Sequence, residues 1–302
     1  MKRIAIALTA LLVAAAAEAN YREFIDVPAD PSLQTAARKT AEQTLKDFPK
    51  LKPEDLAISL IDVTRPTTVG RGDYHGDAPF FPASVVKLFW MVETFRQGQL
   101  TPEVERALKE MIVLSDNDAA AFLVDVISDT SSGPDLDGRA LNKFMEKRRA
   151  INRSFANLGY DISAMSKVWS FGPYGRDVQV LGANRINRNR SGANGVASLM
   201  LWIVRRRAVS AAASEKMLTL LARPLDPPRT DENQVKEFIG EALPAGSKLW
   251  SKAGWTSEVR HDAAYVELPN GRKYIVVIFT RGVADDVKLI PAITKTLLSE
   301  LP

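Results

Sequence analysis

The sequence predicts an α/β fold of the α+β kind. An antiparallel sheet is built from both chain ends and flanked by helices, with an all-helical lobe inserted between. Three observations predict it. A strand-like apolar run lies early, at residues 56–63. Two further runs, 261–268 and 273–280, flank Asn270-Gly271 near the end, and Asn-Gly is the favoured two-residue hairpin turn. Between them the apolar residues recur almost throughout at helical spacing. Strands at the ends and helices in the middle give one sheet with an insertion rather than alternating βαβ units.

Taken in order, Lys2 and Arg3 precede an apolar run over 4–17 that ends in Ala17-Glu18-Ala19. This reads as a secretory signal peptide over residues 1–19, and the run is too short for the roughly 20 residues that span a bilayer. The mature part, 20–302, reads as one domain. Its α/β lobe takes about 20–66 and 224–302, and its helical lobe about 67–223. Residues 32–48 carry helical spacing after Pro31-Ser32, and the 56–63 strand is bounded by Pro53 and Pro66. Residues 70–82 read as loop. Residues 84–97 form a strong helix, with Val85, Leu88, Phe89, Val92 and Phe95 on one face. Thr101-Pro102-Glu103 supplies a cap, a first-turn proline and an acid for a helix to about 113. Further helices are expected over 118–127, 140–147, 151–158, 193–207, 214–222 and 287–298, a third late strand over 248–252, and mostly loop over 160–191.

Composition limits the chemistry. The 302 residues are 46% hydrophobic and 25% charged, enough apolar material for a sizeable core. Lys+Arg number 40 against 36 Asp+Glu, a net charge of +4 without a long basic block, which argues against a nucleic-acid partner. Cysteine is absent, excluding disulfides, thiolate metal sites and a cysteine nucleophile. The only histidines are His75 and His261, so a serine nucleophile has few histidine bases to choose from. Nothing calls for a metal or an organic cofactor.

Three short motifs carry the candidate chemistry. Ser84-Val85-Val86-Lys87 puts a hydroxyl and an amine three residues apart at a helix start, on one helix face. A neutral lysine there can take the serine proton if burial or a second cation lowers its pKa from about 10.4. The plainer reading is a capping serine and a surface lysine. Ser115-Asp116-Asn117 follows the apolar end of a helix and reads equally as a cap. Lys252-Ala253-Gly254-Trp255 lies on the strand before the hairpin, where lysine and glycine also serve solubility and close backbone approach. Each plain reading stands alone; all three together, in this order and in these element types, do not.

S-x-x-K, S-D-N and a K-x-G strand in this order resemble the class A β-lactamase and penicillin-binding protein superfamily, over roughly residues 33–298. The resemblance implies a β-lactamase/transpeptidase-like fold and a serine hydrolase that opens cyclic amides through an acyl-enzyme. It implies Ser84 as nucleophile, Lys87 as proton acceptor, Ser115 as proton relay and Lys252 as a nearby positive charge that also depresses the Lys87 pKa. Asn117 would hold the substrate amide. Backbone N–H groups of Ser84 and Trp255 would form the oxyanion hole. Gly254, Thr256, Ser257 and Arg260 complete the substrate wall, with Arg260 the strongest candidate for a carboxylate. The implied partner is a small molecule, a β-lactam or a D-Ala-D-Ala peptide, met by an exported monomer, periplasmic or secreted, without a membrane span after signal cleavage.

Two departures from the pattern matter. Ala253 stands where a hydroxyl residue is usual. No glutamate lies between Glu146 and Glu215, where the family carries the glutamate that activates the deacylating water. Ser170 falls at its place and Asp177 is the nearest acid. Residues 128–149 read as an insertion. A lost general base costs about 10²–10⁴-fold in rate. Efficient β-lactam hydrolysis therefore stands beside two alternatives: a D,D-carboxypeptidase or related cell-wall peptidase, and a slow-turnover penicillin-binding protein.

Overall fold

The computed structural model describes residues 26–226 and 234–302; the expected signal peptide lies outside them. The chain begins with helix α1 (Pro31–Asp47), which Asp30 caps by accepting from the Ser32 and Leu33 N–H groups. Strands β1 (Leu56–Asp62) and β2 (Gly70–Tyr74) follow. The helical middle holds α2 (Lys87–Gln97), α3 (Pro102–Lys109), α4 (Asn117–Ser128), α5 (Gly138–Ala156), α6 (Arg176–Leu181), α7 (Ala193–Val204) and α8 (Ala211–Leu221). Strands β3 (Ala222–Arg223), β4 (Lys248–Trp255), β5 (Val259–Glu267) and β6 (Lys273–Arg281) and helix α9 (Leu289–Glu300) close the chain. The six strands form one sheet in the order β2-β1-β6-β5-β4-β3, antiparallel at every pairing. Early β1 thus sits beside late β6, with Ile58 opposite Ile278, and the sheet is built from both ends as expected.

The sheet is covered on both faces. Leu56, Ile58 and Leu60 pack with Val276 and Ile278 under α1 and α9. Ala57 and Ile61 join Val277, Phe279 and the helical lobe's Phe89, Trp90 and Trp202 on the other side. Two-sided burial explains why β1 reads as a mostly apolar run instead of an alternating one; its one interior polar residue, Ser59, is buried and donates to Asn194 Oδ1 at 2.7 Å. No helix among the described residues is long and apolar enough to cross a membrane.

Two expectations are corrected. Residues 70–74, read as loop, are edge strand β2, paired with β1. Its Gly-Arg-Gly-Asp-Tyr sequence has no strand signature; it is held by backbone pairing and by α1, which passes so close that a Cβ on Gly72 would lie 2.1 Å from the Leu33 carbonyl carbon. The two helices expected over 140–147 and 151–158 are one helix, α5. The charged break between them is bridged because Arg148 turns inward to Asp125 and Asp177 at 3.0 and 2.9 Å. The stretch 160–191, read as mostly loop, holds one short α-helix, α6.

Candidate active site

Ser84 lies in a 3₁₀ turn, Ala83–Val86, that feeds directly into α2 at Lys87. The residue before it, Ala83, has φ +46°, a left-handed conformation that non-glycine residues adopt at a cost and that clusters at functional sites. Strand β4 crosses this turn closely. A Cβ on Gly254 would stand 2.7 Å from the Ser84 nitrogen and 2.8 Å from that of Val85, both backbone atoms that cannot yield. Glycine at 254 is therefore what lets the strand reach the nucleophile turn.

Ser115 enters from the far side. Helix α3 ends in a π turn, Glu110–Leu114, and Ser115 caps it at φ +59°; π turns of this kind concentrate at functional sites. Asp116 then caps α4 by accepting from the Ala119 N–H. These turns aim both motif side chains at Lys87. The Lys87 ammonium donates to the Ser115 carbonyl at 2.5 Å and to Asn117 Oδ1 at 2.8 Å, and its nitrogen lies 3.3 Å from Ser115 Oγ. Lys252 Nζ donates to the same Ser115 Oγ at 2.9 Å. One hydroxyl is thus bracketed by two amines.

Lys87 is wholly buried, and burial pulls its pKa down to about 7, against the opposing charge of Asp116. Desolvation is the leading cause of the lowered Lys87 pKa. Lys252 is held well below the ordinary lysine value first by burial, then by the charges of Lys87 and Arg223, and the repulsion between the two amines disfavours both being charged at once. Lys252 fills its remaining donors with Gln234 Oε1 and the Ala253 carbonyl. Neither Gln234 nor Arg223 belongs to a short motif, so the sequence offered no signal for them.

A cavity of about 220 Å³ opens beside Ser84, walled by residues that include Asn117, Trp169, Trp255, Thr256, Arg185 and Arg188. Neither histidine lines it. His261 is buried, donates from Nε2 to the Phe81 carbonyl and accepts the Thr280 N–H at Nδ1; both ring nitrogens go to backbone, and burial lowers its pKa to about 4. It braces the stretch before Ser84 and leaves the base role to lysine.

The structure does not bring four expected side chains to the cavity. The Arg260 guanidinium donates to the Ala284 carbonyl and pairs with Glu237 over the Phe238 ring, turned away by these partners. Asp177 is buried against Arg148 beneath the loop. Ser170 donates to Asp118 at an exposed position. Lys167, which does reach the cavity wall, is held from behind by Asp125 and Ser132. Ser257 is exposed and does not line the cavity.

A family model described as "Beta-lactamase enzyme family" matches residues 98–301, more than half the chain. The chain belongs to the beta-lactamase enzyme family. The matched stretch contains Ser115, Asn117 and Lys252; Ser84 and Lys87 lie ahead of it. No curated protein sequence matches the chain. Among solved structures the fold is similar to that of a PBP-A variant described as an acyl-enzyme complex with penicillin G. The two share 17% identity at a TM-score of 0.63, over 90% of this chain and 98% of that one. It is also similar to a beta-lactamase from Sphaerobacter thermophilus (18% identity, TM-score 0.60, 87% and 96% covered). A class A beta-lactamase representative from Bacteroides cellulosilyticus gives 15% identity and a TM-score of 0.59, over 88% and 98% of the chains.

Proposed function

We propose that this beta-lactamase family member is a penicillin-recognising serine hydrolase that acylates itself on Ser84 and releases the acyl group slowly. One arrangement supports this best: a buried, readily deprotonated lysine joined through Ser115 to a second lysine, beside a serine whose cavity wall presents no carboxylate among the described residues. The neutral Lys87 amine takes the Ser84 proton as Oγ attacks the lactam carbonyl. The carbonyl oxygen, as it gains charge, meets the backbone N–H groups of Ser84 and Trp255. The proton passes from Lys87 through Ser115 to the ring nitrogen as the C–N bond breaks. Asn117 holds the substrate's side-chain amide, and Thr256 and the Lys252 side of the cleft receive its carboxylate.

Deacylation is where the family's glutamate is missing. Asp177 is committed to Arg148 and Ser170 to Asp118, so neither activates water, and turnover falls by about 10²–10⁴ relative to a relative with a placed base. Efficient β-lactam hydrolysis is accordingly the weaker reading, and a D,D-peptidase is distinguished by its product. The working location is outside the cytoplasmic membrane, on the strength of residues 1–19. The test is labelling with fluorescent penicillin: stoichiometric, persistent labelling lost in Ser84→Ala is expected. Labelling that survives Ser84→Ala overturns the site, rapid nitrocefin turnover overturns the slow release, and release of D-alanine from a D-Ala-D-Ala peptide makes the enzyme a peptidase.

A further inference from the structure

Two arginines, Arg185 and Arg188, line the cavity beside Ser84. We propose that Arg185, on the same cavity wall as Arg188, forms a subsite for a negatively charged group on the acyl side of the substrate; this rests on the Ser84 reading above. Asn117 donates from Nδ2 toward the Trp169 carbonyl, so a substrate amide held by Asn117 directs its acyl substituent along the loop that carries Trp169. Arg185 and Arg188 line the same cavity as Asn117 and Trp169. Its wall contains no carboxylate among the described residues and three cations, Lys167, Arg185 and Arg188.

The three cations are not equivalent. Lys167 donates to Asp125 at 2.5 Å and to Ser132. Arg188 pairs with Glu258 at 3.0 Å while its guanidinium lies 3.6 Å from the centre of the Phe81 ring, a stacked and fixed position. Arg185 is exposed and has no ion-pair or hydrogen-bond partner for its side chain among the described residues. Its backbone is held at φ +56°, directly after Asn184 at +53°. Two successive left-handed non-glycine residues are a strained arrangement, which persists where the surroundings impose it and gathers at ligand sites. Phe81, Trp169 and Trp255 supply aromatic side chains to the same cavity wall. The ligand that fits is an acyl group with an aryl body and a carboxylate.

Carbenicillin is benzylpenicillin with one carboxylate added on the acyl side chain, so the pair isolates the proposed contact. In Ser84→Ala protein, calorimetry should show carbenicillin binding about fivefold tighter than benzylpenicillin, the scale of an exposed ion pair. The preference should shrink at high salt, fall to about one in the Ser84→Ala, Arg185→Ala double variant, and persist with Arg185→Lys in place of Arg185→Ala. Equal affinities, a preference that survives Arg185→Ala, or no measurable carbenicillin binding overturns the subsite. Acylation of the unsubstituted protein by the same two drugs is read separately: if neither forms an adduct on Ser84 the proposed function fails, while the binding ratio still decides the subsite.

Discussion

At the residue scale, the state of one amine decides the chemistry. Lys87 has a pKa brought down to about 7 by burial, and only its neutral form accepts a proton. The acylation rate should therefore rise with pH, about tenfold per unit below 7, and level off above it; burst-phase labelling across pH 5.5–8.5 measures this, and a flat profile would mean another base. Lys87→Ala should slow the burst by about 10²–10⁴. Gly254→Ala tests the crossing of β4. Its new methyl group meets backbone nitrogens at 2.7 and 2.8 Å, so β4 or the Ser84 turn must shift, and acylation should drop at least tenfold even if the variant's melting point stays within a few degrees. Spacing puts Ser84 and Lys87 on one helix face, but Ser115 and Lys252, distant in sequence, were legible only through the order of the three motifs and the family that order resembles. Arg260 was misread because its orientation depends on Ala284 and Glu237, distant in sequence, and an arginine on a strand near the site looks the same whichever way it turns.

Elements with a strong apolar period were legible, and those held by polar or backbone contacts were not. Helices α1, α2 and α4 and the hairpin β5–β6 follow their patterns closely. Strand β2 and helix α6 do not, because one is fixed by the passage of α1 over Gly72 and the other sits on a buried ionic cluster of Arg148, Asp125, Asp177 and Lys167. That cluster decides the role of the loop over 160–191. Arg148 is fully buried, and its two carboxylate partners hold it there. Removing one partner from a buried ion pair leaves an uncompensated charge and costs about 3 kcal/mol or more. Asp177→Ala should thus lower stability by about 3 kcal/mol in urea unfolding yet leave the rate of acyl release, measured on the folded protein, within a factor of two. A large fall in release at unchanged stability would restore Asp177 as the base that activates water.

Over the whole molecule, the sheet that carries the site also carries two buried titrating groups whose effects oppose one another. His261 and Asp262 are neighbours on β5, both fully buried. Burial lowers His261 to about 4, so folding holds it neutral: its contribution is present above its ordinary value of 6.5 and is lost as pH falls toward 4. Burial raises Asp262 to about 7, against the Ile239 N–H bond and the charge of Lys252. Folding therefore keeps that carboxyl protonated, and its contribution is present below 3.8 and lost as pH rises through 7. Between pH 4 and 6.5 the two slopes run in opposite directions and largely cancel. Asp262→Asn keeps a neutral side chain of the same shape at every pH and removes only the second slope. The stability of Asp262→Asn relative to the unsubstituted protein should then climb steadily from pH 4 to 7, by up to about 4 kcal/mol, whatever constant offset the amide introduces. Guanidinium unfolding at pH 4, 5.5 and 7 measures the difference. A constant offset across that range would mean that Asp262 is ionised inside the sheet, and that the cluster around Lys252 carries its charge as an ion pair.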